Sequence, residues 1–437
     1  MTNCIPISYE FSRIKKHKIE INFSGGEISS DGGSLLLREA DRKLRLTESL
    51  AGLFPDKRNP DRIRHSTLTM LKQRIYGIAL GYEDLNDHDK LRKCSALQTA
   101  SERLEDMASS ATLCRFENGV DRNFIVEAHK VIIDKFIESF TGTPKELVLD
   151  FDATDDEVHG HQEGRFYHGY YRHNCFLPLY VFCNKKLLVS YLRTSNQDQA
   201  KHSWAILALL VKRFRMKWPE VEIVFRGDSG FCRHRMLDWC DKHGIKYIIG
   251  QAQNSRLNKL LESTMEQARE EYKRTKEKQR YFAEFLYKAG SWSRERKIVG
   301  KAEITYLGEN PRYVVTNIEG KASDLYENLY CERGNMENRI KEQQLELFAD
   351  RTSCHKWWPN QFRMILSSLA YTLIEYIRDK FLEGTELATA QVRTIRLKLF
   401  KIGGVIIRNT RRIKFLLSSS YPYQHLWGTI MKKLALE

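Results

Sequence analysis

Three strands, a helix, a strand, a second helix and a fifth strand succeed one another between residues 147 and 250. This order predicts an α/β protein of ribonuclease-H-like fold, a mixed sheet with helices on its faces. Two further observations agree. The first strand ends in a group of carboxylates, Asp150, Asp152, Asp155, Asp156 and Glu157, in a chain with 71 Lys and Arg against 56 Asp and Glu and a formal charge of +15. Negative charge gathered at a strand end repels a polyanion but suits hard divalent cations, while the positive charge elsewhere suits a phosphate backbone through counterion release. Nucleic acid is therefore the expected partner. The most apolar stretch, Ser203–Val211, is too short to span a bilayer, so no membrane partner is expected. The nine cysteines, Cys4 among them, are scattered without a C-x-x-C pair, and Met1–Glu10 lacks a secretory pattern, which predicts reduced thiols and a cytoplasmic location.

The glycine pairs Gly25-Gly26 and Gly32-Gly33 mark turns, so the first thirty residues read as an irregular or short-strand lead-in. From about Ser34 to Phe140 the apolar spacing is helical, with breaks at Phe54-Pro55 and Asn59-Pro60 and helix starts at Ser66, Asp84 and Ser109. Residues 1–140 are thus expected to form a helical DNA-binding region. Residues 141–254 are the first part of the core. The strand 147–152 is followed by the apolar runs Leu177–Cys183 and Leu187–Leu192, joined as a hairpin, then a helix over Ala200–Met216, a strand over Val221–Phe225, a helix over Arg233–His243 and a strand over Lys246–Gly250.

Residues 255–320 carry a charged helix, Ser255–Arg280, and three antiparallel runs, Tyr281–Lys288, Lys297–Leu307 and Arg312–Ile318, which read as a β-rich insertion. Residues 321–380 return to helix, with an apolar stretch around Met364–Ile377, and form the second part of the core. Residues 381–437 are a basic DNA-contacting segment; from Gln391 onward ten cations, Arg411 and Arg412 among them, face the single carboxylate of Glu437.

Side chains alternate along a strand, so Asp150 and Asp152 share one face and Leu147, Leu149 and Phe151 the other. Asp152 lies nearer the C-terminal end, where open sheets expose their ligand crevice, and is the preferred metal ligand, with Asp150 in reserve. Asp228 follows the fourth strand directly, after Arg226. If strands one and four are parallel neighbours, about 4.8 Å apart, Asp152 and Asp228 can flank one cation. The third feature is a Y-x2-R-x3-E pattern, Tyr330, Arg333 and Glu337, extended by Lys341; offsets of 3, 7 and 11 place all four along one helix face. Glu337 is a third carboxylate, and Arg333 can grip a phosphate with its planar fork. Gly334, costing about 1 kcal/mol in a helix, suggests close approach of sheet or DNA. His159, His161, His168 and His173 are irregularly spaced and interleaved with tyrosines, which fits a DNA-facing hairpin better than a zinc site. No phosphate-cradling G-x-x-x-x-G-K-[ST] loop is present, so no nucleotide cofactor is expected.

These residues resemble the DDE transposases of bacterial insertion sequences, in particular the insertion-sequence 1380 group, which shares the Tyr-Arg-Glu signature with the insertion-sequence 4 group. The resemblance runs from Ser30-Asp31-Gly32-Gly33 through Leu149–Thr154, Arg226–Phe231 and Tyr330–Glu337 to Asn360-Gln361-Phe362-Arg363. It implies a nucleoid-associated enzyme that binds the terminal inverted repeats of its element, cleaves at the ends and joins the 3′ ends to target DNA, acting as a homodimer in the assembled complex. Asp152, Asp228 and Glu337 would be catalytic and would hold two Mg²⁺ ions, with Mn²⁺ able to substitute. Tyr330, Arg333, Lys341, Arg226, Arg411 and Arg412 are the expected DNA contacts. The family signature has a lysine seven residues beyond the glutamate; here that position is Gln344, and Lys341 is the candidate substitute. Family members also carry a β-strand insertion, whose tryptophan stacks on a DNA base in relatives; Trp292 is the candidate, with a buried anchor of the insertion as the alternative. Two rival readings stand beside this one: a nuclease of the same fold without strand transfer, and a non-catalytic DNA-binding repressor.

Overall fold

The computed structural model describes residues 8–436; Cys4 and Glu437 lie outside them. The chain folds into two compact units. One is made from the segments up to Val120 and from Leu369 onward, and the other spans Asp121–Ser368.

The second unit is built on one large mixed sheet. Its strands are β1 (Glu146–Ala153), β2 (Leu179–Cys183), β3 (Lys186–Tyr191), β4 (Glu222–Gly227), β5 (Lys246–Gln251), β6 (Gln279–Tyr287), β7 (Arg296–Thr305) and β8 (Arg312–Thr316). They lie in the order β6-β7-β8-β5-β4-β1-β2-β3. β4 is parallel to β1 and to β5, and the remaining neighbours are antiparallel. Strands read from the apolar runs agree with this to within about two residues at each end. β8 pairs with β5, so β6, β7 and β8 continue the sheet that β1 to β5 form.

Alternation decides what each face of the sheet meets. Leu147, Leu149, Phe151, Ile223, Phe225, Tyr247 and Ile249 enter a large core with the helices Ser203–Lys217, His234–Lys242 and Ser255–Thr275. The next residues along β4 and β5, Val224 and Ile248, with Val299 of β7, Val314 of β8 and Val148 beside them, meet Leu325 and Tyr326 on the opposite face. The segment that begins with Leu325 is therefore anchored by apolar contact on the face to which Asp150 and Asp152 belong. That segment is not one plain α-helix. It runs as a π-helix over Leu325–Tyr330, a 3-10 turn over Cys331–Arg333, an α-helix over Gly334–Lys341 and a second π-helix over Glu342–Glu346. Register changes of this kind re-aim side chains within a continuous helix.

The first unit is mainly helical, with Leu35–Leu44, Leu46–Ala51, Thr67–Leu80, Ser95–Ala100 and Ser110–Asn118 as its N-terminal helices. Ser66 caps Thr67–Leu80 by accepting from the Thr69 N–H at 3.2 Å, and Asp84 forms a capping box with Asp87. Buried Arg74 donates to Glu117 at 2.7 Å and lies 3.0 Å from His88, tying three segments together. The basic C-terminal segment contributes a hairpin, Gly404–Arg408 with Ile413–Leu417, and a helix, Gln424–Leu436. Several of its cations are committed within the unit: Lys401 to Asp31 at 2.7 Å, Arg408 to Glu27 at 3.0 Å, and Arg396 to the Ala79 carbonyl at 2.9 Å. Arg411 and Arg412 sit exposed at the hairpin turn. No helix among the described residues is long and apolar enough to cross a membrane.

Candidate active site

Parallel pairing of β1 with β4 puts Arg226 opposite Asp150 and Gly227 opposite Phe151, and Asp152 and Asp228 are the residues that follow directly in the two segments. Both carboxylates emerge at the C-terminal ends of their strands, on the face covered by the segment that carries Glu337. The first of them is largely enclosed. Burial is the main influence on the Asp152 carboxyl and pushes it up to about 7; the Arg333 guanidinium opposes the rise, while negative charge on Asp228 and Glu337 adds to it.

Arg333 is the link. It donates to Asp152 Oδ2 at 3.2 Å through Nη1 and to Glu337 Oε1 at 2.7 Å through Nη2. The i,i+4 spacing of Arg333 and Glu337 makes that second bond natural on a helix. Asp228 is fixed separately. Its Oδ1 accepts from the Gly230 N–H at 2.8 Å, capping the short turn Ser229–Phe231, and its Oδ2 accepts from Gln199 Nε2 at 3.1 Å. Tyr330 comes close to this turn. A Cβ on Gly250 of β5 would lie 2.7 Å from the Tyr330 hydroxyl and 2.8 Å from the Ser229 nitrogen, so only glycine lets these parts meet. Tyr330, Arg333 and Asp228 together line a cleft of about 250 Å³ with Gln251, Arg312 and Tyr313.

The charges of Asp228 and Glu337 both act on Asp152, and Arg333 bonds to Asp152 and to Glu337. Among the described residues no three ligating side chains are drawn tightly enough together to enclose an ion; the carboxylates are spread around Arg333, which supplies the positive charge in place.

Other expected residues fall differently. Asp150 is buried and gives both oxygens to Arg226, which donates through Nε to Oδ1 and through Nη2 to Oδ2 at 2.8 Å. Arg226 also donates to the Leu329 carbonyl, so it staples β4 to the glutamate-bearing segment. Trp292 is 5% exposed, packed edge-on to Tyr287 at 5.6 Å and under the Arg296 guanidinium at 5.9 Å, which is the anchoring alternative rather than a base-stacking surface. Gly334 faces open space, so no close approach of the sheet explains it. Gln344 donates to the Asp155 carbonyl at 3.0 Å, and Lys341 is exposed one turn earlier. The histidine-rich stretch forms a hairpin, Phe166–His168 with His173–Phe176, in which His173 pairs with Asp155 at 2.8 Å and Tyr167 and Tyr170 are exposed. Gln199 was not foreseen. It lies in a polar loop whose only sequence signal is that it is a loop.

Comparison with known proteins adds three findings. No curated protein matches the chain. It is similar to piggyBac transposase, in a cryo-EM structure of the synaptic complex with hairpin DNA, at 10% identity and a TM-score of 0.43 over 85% of this chain and 80% of that one. The family described as Transposase DDE domain group 1 matches residues 11–437. That match takes in both strand-end aspartates, the Tyr-Arg-Glu segment and the basic tail, and the chain belongs to this DDE transposase family.

Proposed function

We propose that the protein is the transposase of an insertion sequence in a bacterial cell, of the 1380 group or its insertion-sequence 4 relatives. It would bind the terminal inverted repeats of its element, cleave the strands at the element ends and join the 3′ ends to target DNA. What supports this reading is the parallel pairing of β1 with β4, whose neighbouring C-terminal ends carry Asp152 and Asp228, with Glu337 joined to Asp152 through Arg333.

Asp152, Asp228 and Glu337 would hold a divalent pair, Mg²⁺ or Mn²⁺. When bound, such a pair activates a water or a 3′-hydroxyl and stabilises charge on the leaving 3′-oxygen. The residues of this chain do the rest. Arg333, released from the carboxylates, has its fork free for a strand phosphate, and Lys341 on the exposed face offers a second cation. Arg226 and Asp150 hold the glutamate-bearing segment against β1 and β4. Attack by water breaks one phosphodiester to a 3′-hydroxyl and a 5′-phosphate, which is downhill, and attack by that 3′-hydroxyl trades one phosphodiester for another, so neither step needs a nucleotide as energy source. Two element ends must be handled together, which favours a homodimer in the DNA complex, in the cytoplasm where the nucleoid lies.

The test is cleavage of a labelled terminal-repeat duplex by the purified protein with Mg²⁺, followed by joining to a supercoiled plasmid. Nicked ends and joined products support the proposal. Cutting without joining points to a nuclease, and binding without cutting under any divalent ion points to a repressor.

A further inference from the structure

The first unit contains a cavity of about 620 Å³ that the proposed chemistry does not use. Six cations line it: Lys57, Arg58, Arg62 and Arg64 from the loop before the Thr67–Leu80 helix, Arg92, and Arg115 from the helix Ser110–Asn118. Only two carboxylates accompany them, and each is already spent: Asp56 on Arg58 at 2.6 Å, Asp106 on Arg92 at 2.8 Å. Among the described residues Lys57, Arg62, Arg64 and Arg115 are exposed and have no carboxylate partner. The floor is apolar, with Phe54 and Phe116 stacked at 4.6 Å beside Met70 and Met107.

A second observation concerns His65, which lines the cavity, and its neighbour Arg103. His65 Nδ1 and, beside it, Arg103 Nε are shielded from solvent without a hydrogen-bond partner. Burial, then the charges of Arg103, Arg64, Arg92 and Arg58, hold the His65 imidazole below its ordinary range. This much uncompensated positive charge around one concavity is costly unless an anion arrives. One phosphate is satisfied by one or two guanidinium forks, whereas four uncommitted cations on two separate segments match a run of phosphates.

We infer that this cavity is where the protein holds the phosphodiester backbone of duplex DNA. The inference rests on the proposed function and gives its DNA binding a location. Binding is measured by fluorescence anisotropy with the full-length protein and a labelled terminal-repeat duplex in EDTA, over a series of salt concentrations. The triple variant Arg62→Gln/Arg64→Gln/Arg115→Gln is expected to lose at least about 10-fold in affinity near 150 mM salt, and its slope of log affinity against log salt to fall by about 2 to 3, near 0.9 for each phosphate that is no longer neutralised. The corresponding Arg→Lys triple variant should keep the slope.

Unchanged affinity and slope in the glutamine variant overturn the inference, as does an equal loss in the lysine variant, which would trace the effect to folding. Inorganic phosphate or pyrophosphate that binds through these arginines while DNA affinity is indifferent to them also overturns it, in favour of a small-anion site. A wild type that binds DNA through these arginines yet never cuts it would leave the cavity assigned and remove the transposase reading. A wild type that cuts, with the glutamine variant binding as tightly, would do the reverse.

Discussion

Two arginine–carboxylate clusters lie on opposite faces of the same sheet, and they differ in how their charge is balanced. Around Arg296 on β7, Nη2 donates to Asp238 at 2.6 Å, Nη1 donates to Asp241 and to the Tyr247 hydroxyl at 2.8 Å, and Arg294 adds a second cation at 2.9 Å from Asp241. Two cations meet two carboxylates. Around Arg333 one guanidinium serves three carboxylates, Asp152, Glu337 and, at longer range, Asp228. The Arg296 cluster has matched charges and ties β7 to the helix His234–Lys242. At Arg333 one guanidinium stands against three carboxylates, and the Asp152 carboxyl is raised there, first by burial and further by Asp228 and Glu337.

The comparison is broken most directly at the unbalanced cluster. Asp228→Asn is expected to reduce strand cleavage by more than about 100-fold, beyond what loss of an outer partner of a metal ligand costs, with thermal stability unchanged or raised. Cleavage rates and melting curves on the same preparation check both halves; a variant that cuts at the wild-type rate removes Asp228 from the site. The pair Asp150–Arg226 behaves in the opposite sense. Asp150→Asn leaves a buried guanidinium without its carboxylate and should cost about 3 to 5 kcal/mol in urea unfolding, whereas Asp150→Leu with Arg226→Met should restore most of that stability. The double variant, once folded, should cut more slowly than wild type because Arg226 no longer anchors the glutamate-bearing segment at the Leu329 carbonyl; cutting at the wild-type rate would remove the pair from that positioning role.

Next in size, Arg296→Met should destabilise by about 2 to 3 kcal/mol, less than a fully buried pair because Asp238 and Asp241 keep some access to water, while cleavage at low temperature persists. The smallest effect depends on pH. Burial alone would raise the Glu303 carboxyl, but hydrogen bonds from Lys301, Arg280, Lys278 and Asn310 outweigh it and hold the carboxyl below its ordinary value. A depressed folded value means stabilisation that is complete above the unfolded value, about 4.3, and lost as pH falls through the folded one. Glu303→Gln should therefore cost about 1.5 kcal/mol at pH 7, and the gap between variant and wild type should narrow below about pH 4. A gap that widens on acidification would reverse the sign and refute the assignment.

Much of this was legible beforehand because strand periodicity carries information about faces. Alternation along 147–152 put Asp150 and Asp152 on one side, an aspartate past an apolar strand marked Asp228, and a helical spacing of four set Arg333 against Glu337. Periodicity says nothing about partners. It could not distinguish Asp150, closed off by Arg226 from the neighbouring strand, from Asp152 two residues later. Nor could it bury Trp292, since an aromatic in a loop reads the same whether it faces solvent or sits under Arg296. The π turns on either side of the glutamate helix, and Gln199 reaching Asp228 from a remote loop, leave no local trace at all.

The amino-acid sequence by itself determined the elements, the side of the sheet on which each carboxylate stands and the excess of positive charge, because propensity, alternation and composition are local properties. Tertiary structure alone decided which arginines are spent and which have no carboxylate partner, and that β6, β7 and β8 extend the sheet of β1 to β5. Both depend on pairings between residues far apart in the chain, where geometry and burial, not spacing, choose the partner.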